Sequence, residues 1–320
     1  MFNQKVTGIG TGNETSNATD KTTSWSGGWE YKPLKYWPNE ATDKVSFFAY
    51  APHSTDGSNN ITLFANTVGG DPVITYTVVE VVLDHKDLLF AEPVLNKCKA
   101  NGGVDVEDKV MFNFKHALSR IGFNIETVID AVSDEATGKD DDLNVKEDNE
   151  TTLDASTHVY IDKVELIGSF FNNGKLNLNT GEWFESNTLG QTTYTLDKSN
   201  FAITNVTTTK QKLNADNSYI MIIPKNFTNT SEDATTQLQV RTTYRVVTTD
   251  PALEDSKSEV TNVITSDAFG LNFEKGNAYT FTLHLGLTSV KLTASVSDWT
   301  DGDDIAVNVP INTTSSTTNP

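Results

Sequence analysis

Apolar side chains recur at every second position along much of this chain. Tyr279, Phe281, Leu283 and Leu285 fall on one face of an extended run, and Val290, Leu292, Ala294 and Val296 do the same in the next. A period of two over that length specifies half-buried strands, because successive side chains of a strand point to opposite faces. Past the Asp/Gly turn at Asp301 to Asp304 a third alternation begins, with Ile305, Val307, Val309 and Ile311. A chain ending in such a strand can complete its own sheet or that of a neighbour.

The same reading places strands at residues 45–51, 61–65, 73–82, 88–91, 159–168, 175–179, 192–196, 219–223 and 237–247, bounded by Gly, Pro, Asn and Asp. Residues 110–127 carry two alternations out of phase: Phe112, Phe114 and His116, then Ile121, Phe123 and Ile125. Two strands with a slip at Ser119-Arg120, as a bulge gives, account for the change of phase. One short helix is expected over residues 93–102, opened by Pro93, closed by Gly102 and holding Cys98 as a buried, inert thiol. Almost nothing else has helical spacing. The fold class expected is all-β, with two tandem antiparallel β-sandwich domains. The charge-rich, apolar-poor residues 133–157 read as a long exposed loop, so the boundary falls near residue 155. That gives a first domain over 1–155, a second over 156–312, and a disordered tail over 313–320.

Composition narrows the function. Lys plus Arg number 24 against 43 Asp plus Glu, so the net charge is 24 − 43 = −19. Such a chain repels phosphate backbones and anionic headgroups, which argues against nucleic acid as a partner. A single cysteine, Cys98, excludes an intrachain disulfide and a cysteine-built metal cluster. No run approaches the ~20 apolar residues of a membrane-spanning helix. The start, Met1-Phe2-Asn3-Gln4-Lys5-Val6, has no apolar core of a signal peptide, while the composition suits an extracellular protein. The expectation is an exported chain whose export segment is absent from this sequence.

Little of the chemistry reads as catalytic. His53, His85, His116, His158 and His284 are scattered without ligand spacing, and His116 and His284 are expected as hydrogen-bonded core or rim residues. There is no phosphate-binding Gly-rich loop and no nucleophile elbow, so no catalytic residue and no cofactor is assigned. Asp140, Asp142 and Asn144 begin like a calcium loop, but Val145 and Thr151 break the pattern. Asp298, Asp301, Asp303 and Asp304 read as a plain acidic turn, and no metal ligand is assigned. Trp25, Trp29, Tyr31, Tyr36 and Trp37 form an aromatic-rich stretch. Trp25, Trp29 and Trp37 are candidates for stacking on sugar rings, against the alternative that they pack as a lid over the first sandwich.

Several segments, in order, carry a resemblance. Tyr36-Trp37-Pro38, residues 45–52, Asp87-Leu88-Leu89-Phe90-Ala91 and Phe112 to Ile121 resemble the N-terminal domain of Bacteroidales fimbrillin-like proteins. Tyr219 to Pro224, Gly276-Asn277-Ala278-Tyr279 and the run to Val296-Ser297-Asp298-Trp299 resemble their C-terminal domain. The resemblance implies two transthyretin-like sandwiches, export as a lipoprotein to the outer membrane or cell surface, and assembly into type V pili. There a neighbour's C-terminal strand fills a groove opened by proteolysis. Partners would then be other pilus subunits, by strand exchange, with host or bacterial surface glycans or proteins as further ligands. The chain departs from the pattern in lacking the lipid-bearing cysteine, and its three arginines, Arg120, Arg241 and Arg245, all fall in expected strands. The donor candidates are Ile305, Val307, Val309 and Ile311, with their own domain as the rival home for that strand. The alternative function is a monomeric carbohydrate-binding surface lipoprotein.

Overall fold

The computed structural model describes residues 4–9, 28–33, 42–55, 58–63, 70–98, 110–127, 157–188, 190–203, 210–214, 218–228, 237–249, 251–252, 255–285, 290–299 and 313–316. In chain order the strands are β1 (Val6–Ile9), β2 (Gly28–Tyr31), β3 (Val45–Phe47), β4 (Tyr50–Ala51), β5 (Ile61–Leu63), β6 (Val73–Thr77), β7 (Leu89–Ala91), β8 (Val94–Lys97), β9 (Phe114–His116), β10 (Ser119–Thr127), β11 (Thr157–Gly168) and β12 (Phe171–Asn177). They continue with β13 (Trp183–Thr188), β14 (Thr192–Ala202), β15 (Gln211–Lys212), β16 (Ile220–Ile222), β17 (Lys225–Phe227), β18 (Gln239–Thr248), β19 (Ser258–Ser266), β20 (Leu271–Phe273), β21 (Asn277–Leu285), β22 (Val290–Asp298) and β23 (Thr313–Ser316). Two single 3-10 turns, Ser58–Asn60 and Val82–Asp84, are the only helical pieces among the described residues. The protein is all-β.

Two five-stranded sheets dominate. In the first, β15, β10, β21 and β22 lie side by side, with β16 also on β10. Its apolar rows align by register: Phe123 faces Phe281, which faces Ala294, and Ile125 faces Leu283, which faces Leu292. All six are buried, and the Phe123 and Phe281 rings stack at 5.6 Å. Burying each large apolar side chain contributes about 1.5–3 kcal/mol. In the second, the order is β14, β11, β18, β19, β23. Here Val159 and Ile161 point inward, then Val164 and Leu166. The parity switches at Asp162, where the ladder carries a bulge, and the bulge keeps both apolar pairs on the core face. The inner rows of both sheets belong to one continuous core.

Smaller sheets close the body: β13-β12-β6-β5, β4-β7-β9, β3 with β8, β17 with β20, and β1 with β2. Among the described residues four ladders join strands on either side of residue 155: β6 with β12, and β10 with β15, β16 and β21.

Four sequence expectations are corrected. Residues 94–97 form β8, a strand paired with β3, where a helix was expected; the pairing overrides the local Pro and Gly signals. Cys98 is buried, as expected of it. The two strands expected in residues 110–127 are present as β9 and β10, but the phase change between them is not a bulge-type slip at Ser119-Arg120. The chain turns at Ala117-Leu118, so that β9 and β10 enter different sheets. The β10–β21 pair is parallel, so the first sheet is mixed and not purely antiparallel. A parallel pair needs a long crossover, and the ~150 intervening residues supply one. Thr313–Ser316, expected within a disordered tail, forms β23 on the edge of β19. Backbone hydrogen bonding to an open edge requires no apolar side chain, so a Thr/Ser segment can take it.

Candidate functional site: the corner at Ala117 and the sheet edges

Most sequence-assigned site residues lie outside the described residues: Trp25, Trp37, Ile305, Val307, Val309 and Ile311. Trp29 is on β2, paired with Gly8. Asp298 ends β22, while Asp301, Asp303 and Asp304 lie outside the described residues. Among the described residues no group of three His, Cys, Asp or Glu side chains could hold a metal ion.

The corner between β9 and β10 gathers the molecule. Its backbone groups are claimed one by one from distant elements. Ala117 N–H donates to the Leu88 carbonyl at 2.8 Å, and the Ala117 carbonyl accepts from Trp183 Nε1–H at 2.8 Å. The Leu118 carbonyl accepts from Gly276 N–H at 2.9 Å, and Ser119 Oγ–H donates to the Glu274 carbonyl at 2.8 Å. Gly276 sits at φ +73°, a left-handed conformation that glycine adopts without Cβ strain. Ala117, Leu118 and Ser119 are fully buried, so each of these bonds satisfies a polar group that water cannot reach.

Four side chains stack over that corner. The His116 ring lies on Trp299 at 3.8 Å between centroids and 5° between planes. Arg120 lies over Trp299 at 5.2 Å and over Tyr219 at 4.6 Å. His116 Nδ1 meets Asp87 at 2.7 Å, and Trp299 N–H donates to the Gly276 carbonyl at 2.8 Å. Trp299 therefore pins the end of β22 to strands from the first half of the chain. His284 likewise has partners, Thr293 Oγ1 at 3.0 Å and Glu126 at 3.4 Å. Spacing could not reveal the stack: His116, Arg120, Tyr219 and Trp299 are each within segments singled out above, but only folding brings them together.

Charged side chains on the second sheet serve the ladders. Glu165 is buried opposite Arg241 on β18, which grips it through Nε at 2.7 Å and Nη2 at 2.9 Å. That guanidinium first, then Lys163, holds the Glu165 carboxyl below its ordinary value against the opposing effect of burial. Arg245 bridges Asp162 and Glu259. These pairs are cross-strand ties; none converges with others on a common point where a substrate could react.

The edges remain. The outer side of β19 is covered by β23 only from Val263 to Ser266. Over Ser258–Asn262 no named strand is paired with that side among the described residues, and Val260 there is 48% exposed.

A family model described as fimbrillin-like matches residues 1–299. No curated protein matches the chain. The structure is similar to that of a fimbrial protein from Bacteroides vulgatus ATCC 8482, at 22% identity and a TM-score of 0.61, over 87% of this chain and 84% of that one. It also matches a candidate cell adhesion protein from Bacteroides uniformis ATCC 8492, at 18% identity and a TM-score of 0.40, over 87% of this chain and 82% of that one.

Proposed function

This chain belongs to the fimbrillin-like family, and from that premise we propose that it is a non-catalytic subunit or adhesin of a cell-surface fimbria that assembles through β-strand donation. The observation that carries the reading is the edge of β19, which among the described residues is paired only from Val263 to Ser266: the backbone groups of the rest of that edge can accept a further strand. The C-terminal alternation Ile305, Val307, Val309 and Ile311 is the proposed donor, inserted into a neighbouring subunit. Burying its four side chains contributes on the order of 1.5–3 kcal/mol each as an upper figure. The ion pairs of the second sheet tie strands together, which agrees with a structural role.

The test is assembly. The purified chain, before and after limited proteolysis, is followed by light scattering and electron microscopy as its concentration rises. Deletion of residues 305–320, and the length-preserving pair Val307→Asp with Val309→Asp, should both leave monomers. Filaments formed equally by both variants refute donation by this segment.

A further inference from the structure

His85 is a half-buried titratable group that the assembly reading does not use. It follows the 3-10 turn Val82–Asp84, and its ring bonds at both nitrogens. Met221 N–H, on β16, donates to Nδ1 at 2.9 Å. Nδ1 is therefore the unprotonated nitrogen, and Nε2–H donates to the Val79 carbonyl at 2.8 Å. The ring also meets Tyr194 of β14 edge-on at 5.1 Å. One imidazole thus rivets the turn over residues 79–86 to a strand 136 positions away. Above the rivet, Leu83 is 77% exposed and Val81 55%, while Val82 between them is buried.

We propose that His85 is an acid-sensitive rivet: protonation of Nδ1 removes the acceptor of Met221 N–H, frees the turn from β16, and joins Val82 to Val81 and Leu83 as one apolar surface. The step is a proton transfer from water to Nδ1, after which both ring nitrogens are donors and Met221 N–H faces another N–H. The surroundings do little to accommodate the new charge. From its own turn the Val79 carbonyl, and after it Asp84, favour the charged ring, and burial outweighs both. From β14 it faces Tyr194, which burial keeps protonated and neutral, with Glu80 acting on that phenol. From β16 it faces the Met221 backbone, and Lys86 is turned to Asn59 Oδ1. Burial holds the imidazole below its ordinary value of 6.5, so the charged form appears only in acid. The device concerns one subunit and does not depend on how subunits assemble.

The experiment is an NMR titration of the full chain from about pH 7.5 to about pH 5, following the His85 ring and the amides of Val82 and Met221. His85→Phe, which cannot be protonated, and His85→Gln identify the ring signal. The expected result is a His85 midpoint below 6.5, with about a tenfold or greater loss of amide-exchange protection at Val82 and Met221 over the same range, corrected for intrinsic rates. Fluorescent-dye binding to the new apolar surface should rise in step and stay flat in His85→Phe. If that variant does not fold, the wild-type titration decides alone. A ring that titrates at or above 6.5, protection unchanged while it titrates, or protection lost equally across β10 and β21 overturns the proposal.

Discussion

Removing the Trp299 side chain tests whether the corner at Ala117 holds the end of β22. The indole is half-buried. A fully buried aromatic removes 150–250 Å² from water, and half of the upper value at about 25 cal/mol per Å² gives roughly 3 kcal/mol. The parallel stack on His116 adds about 0.5–1.5 kcal/mol. Arg120 over the ring adds about 0.5–1 kcal/mol at a partly exposed site. Ordering of the side chain and relaxation of its neighbours offset part of this, so Trp299→Ala should cost about 2–4 kcal/mol. The assay is urea denaturation read by circular dichroism, with a shifted midpoint at unchanged slope. A double-mutant cycle with His116→Ala isolates the stack, with an expected coupling of about 0.5–1.5 kcal/mol. Trp299→Phe should fall between wild type and Ala. A Trp299→Ala cost below about 0.5 kcal/mol, or a coupling within the ~0.3 kcal/mol error of independent sites, refutes the reasoning.

Phe281→Ala, at a fully buried position meeting Phe123 at 5.6 Å and Phe269 at 5.9 Å, should destabilise by about 3–5 kcal/mol in the same denaturation assay; a cost under about 1 kcal/mol would mean that β21 is not the central strand described. Glu165 gives a pH dependence of known sign. Because Arg241 holds its folded-state value below the ordinary 4.5, the pair stabilises fully above about that pH and the contribution is lost as pH falls through the folded value. Glu165→Gln should therefore lose stability relative to wild type at neutral pH, by about 1–3 kcal/mol, and converge with it in acid; a gap that persists unchanged at low pH contradicts the pairing.

The sequence made the strands legible where one face is buried and the other wet. The alternations at 279–285 and 290–296 became β21 and β22, since a period of two is enforced by the pleat itself. Local signals failed over residues 94–97, where Pro93 and Gly102 suggested a helix and pairing with β3 produced β8. They also failed at Ala117-Leu118, where a change of phase has the same appearance whether the strand bulges or leaves its sheet. The candidate site was legible only in part. His116, Arg120, Tyr219 and Trp299 were each within segments that resemble the family, yet no spacing states that a histidine will stack on a tryptophan 183 positions later.

The chain by itself determined its strand content, its acidic surface, its lack of a disulfide and its resemblance to fimbrillin-like proteins, because these depend on periodicity, charge and residue order. Only the tertiary structure decided which strands are neighbours: β10 beside β21 in parallel, β6 beside β12, β23 on the edge of β19. The physical reason is that a strand's backbone donors and acceptors are the same whatever its sequence. Its partner is chosen by which apolar rows can be buried together, and that is a property of the whole folded body.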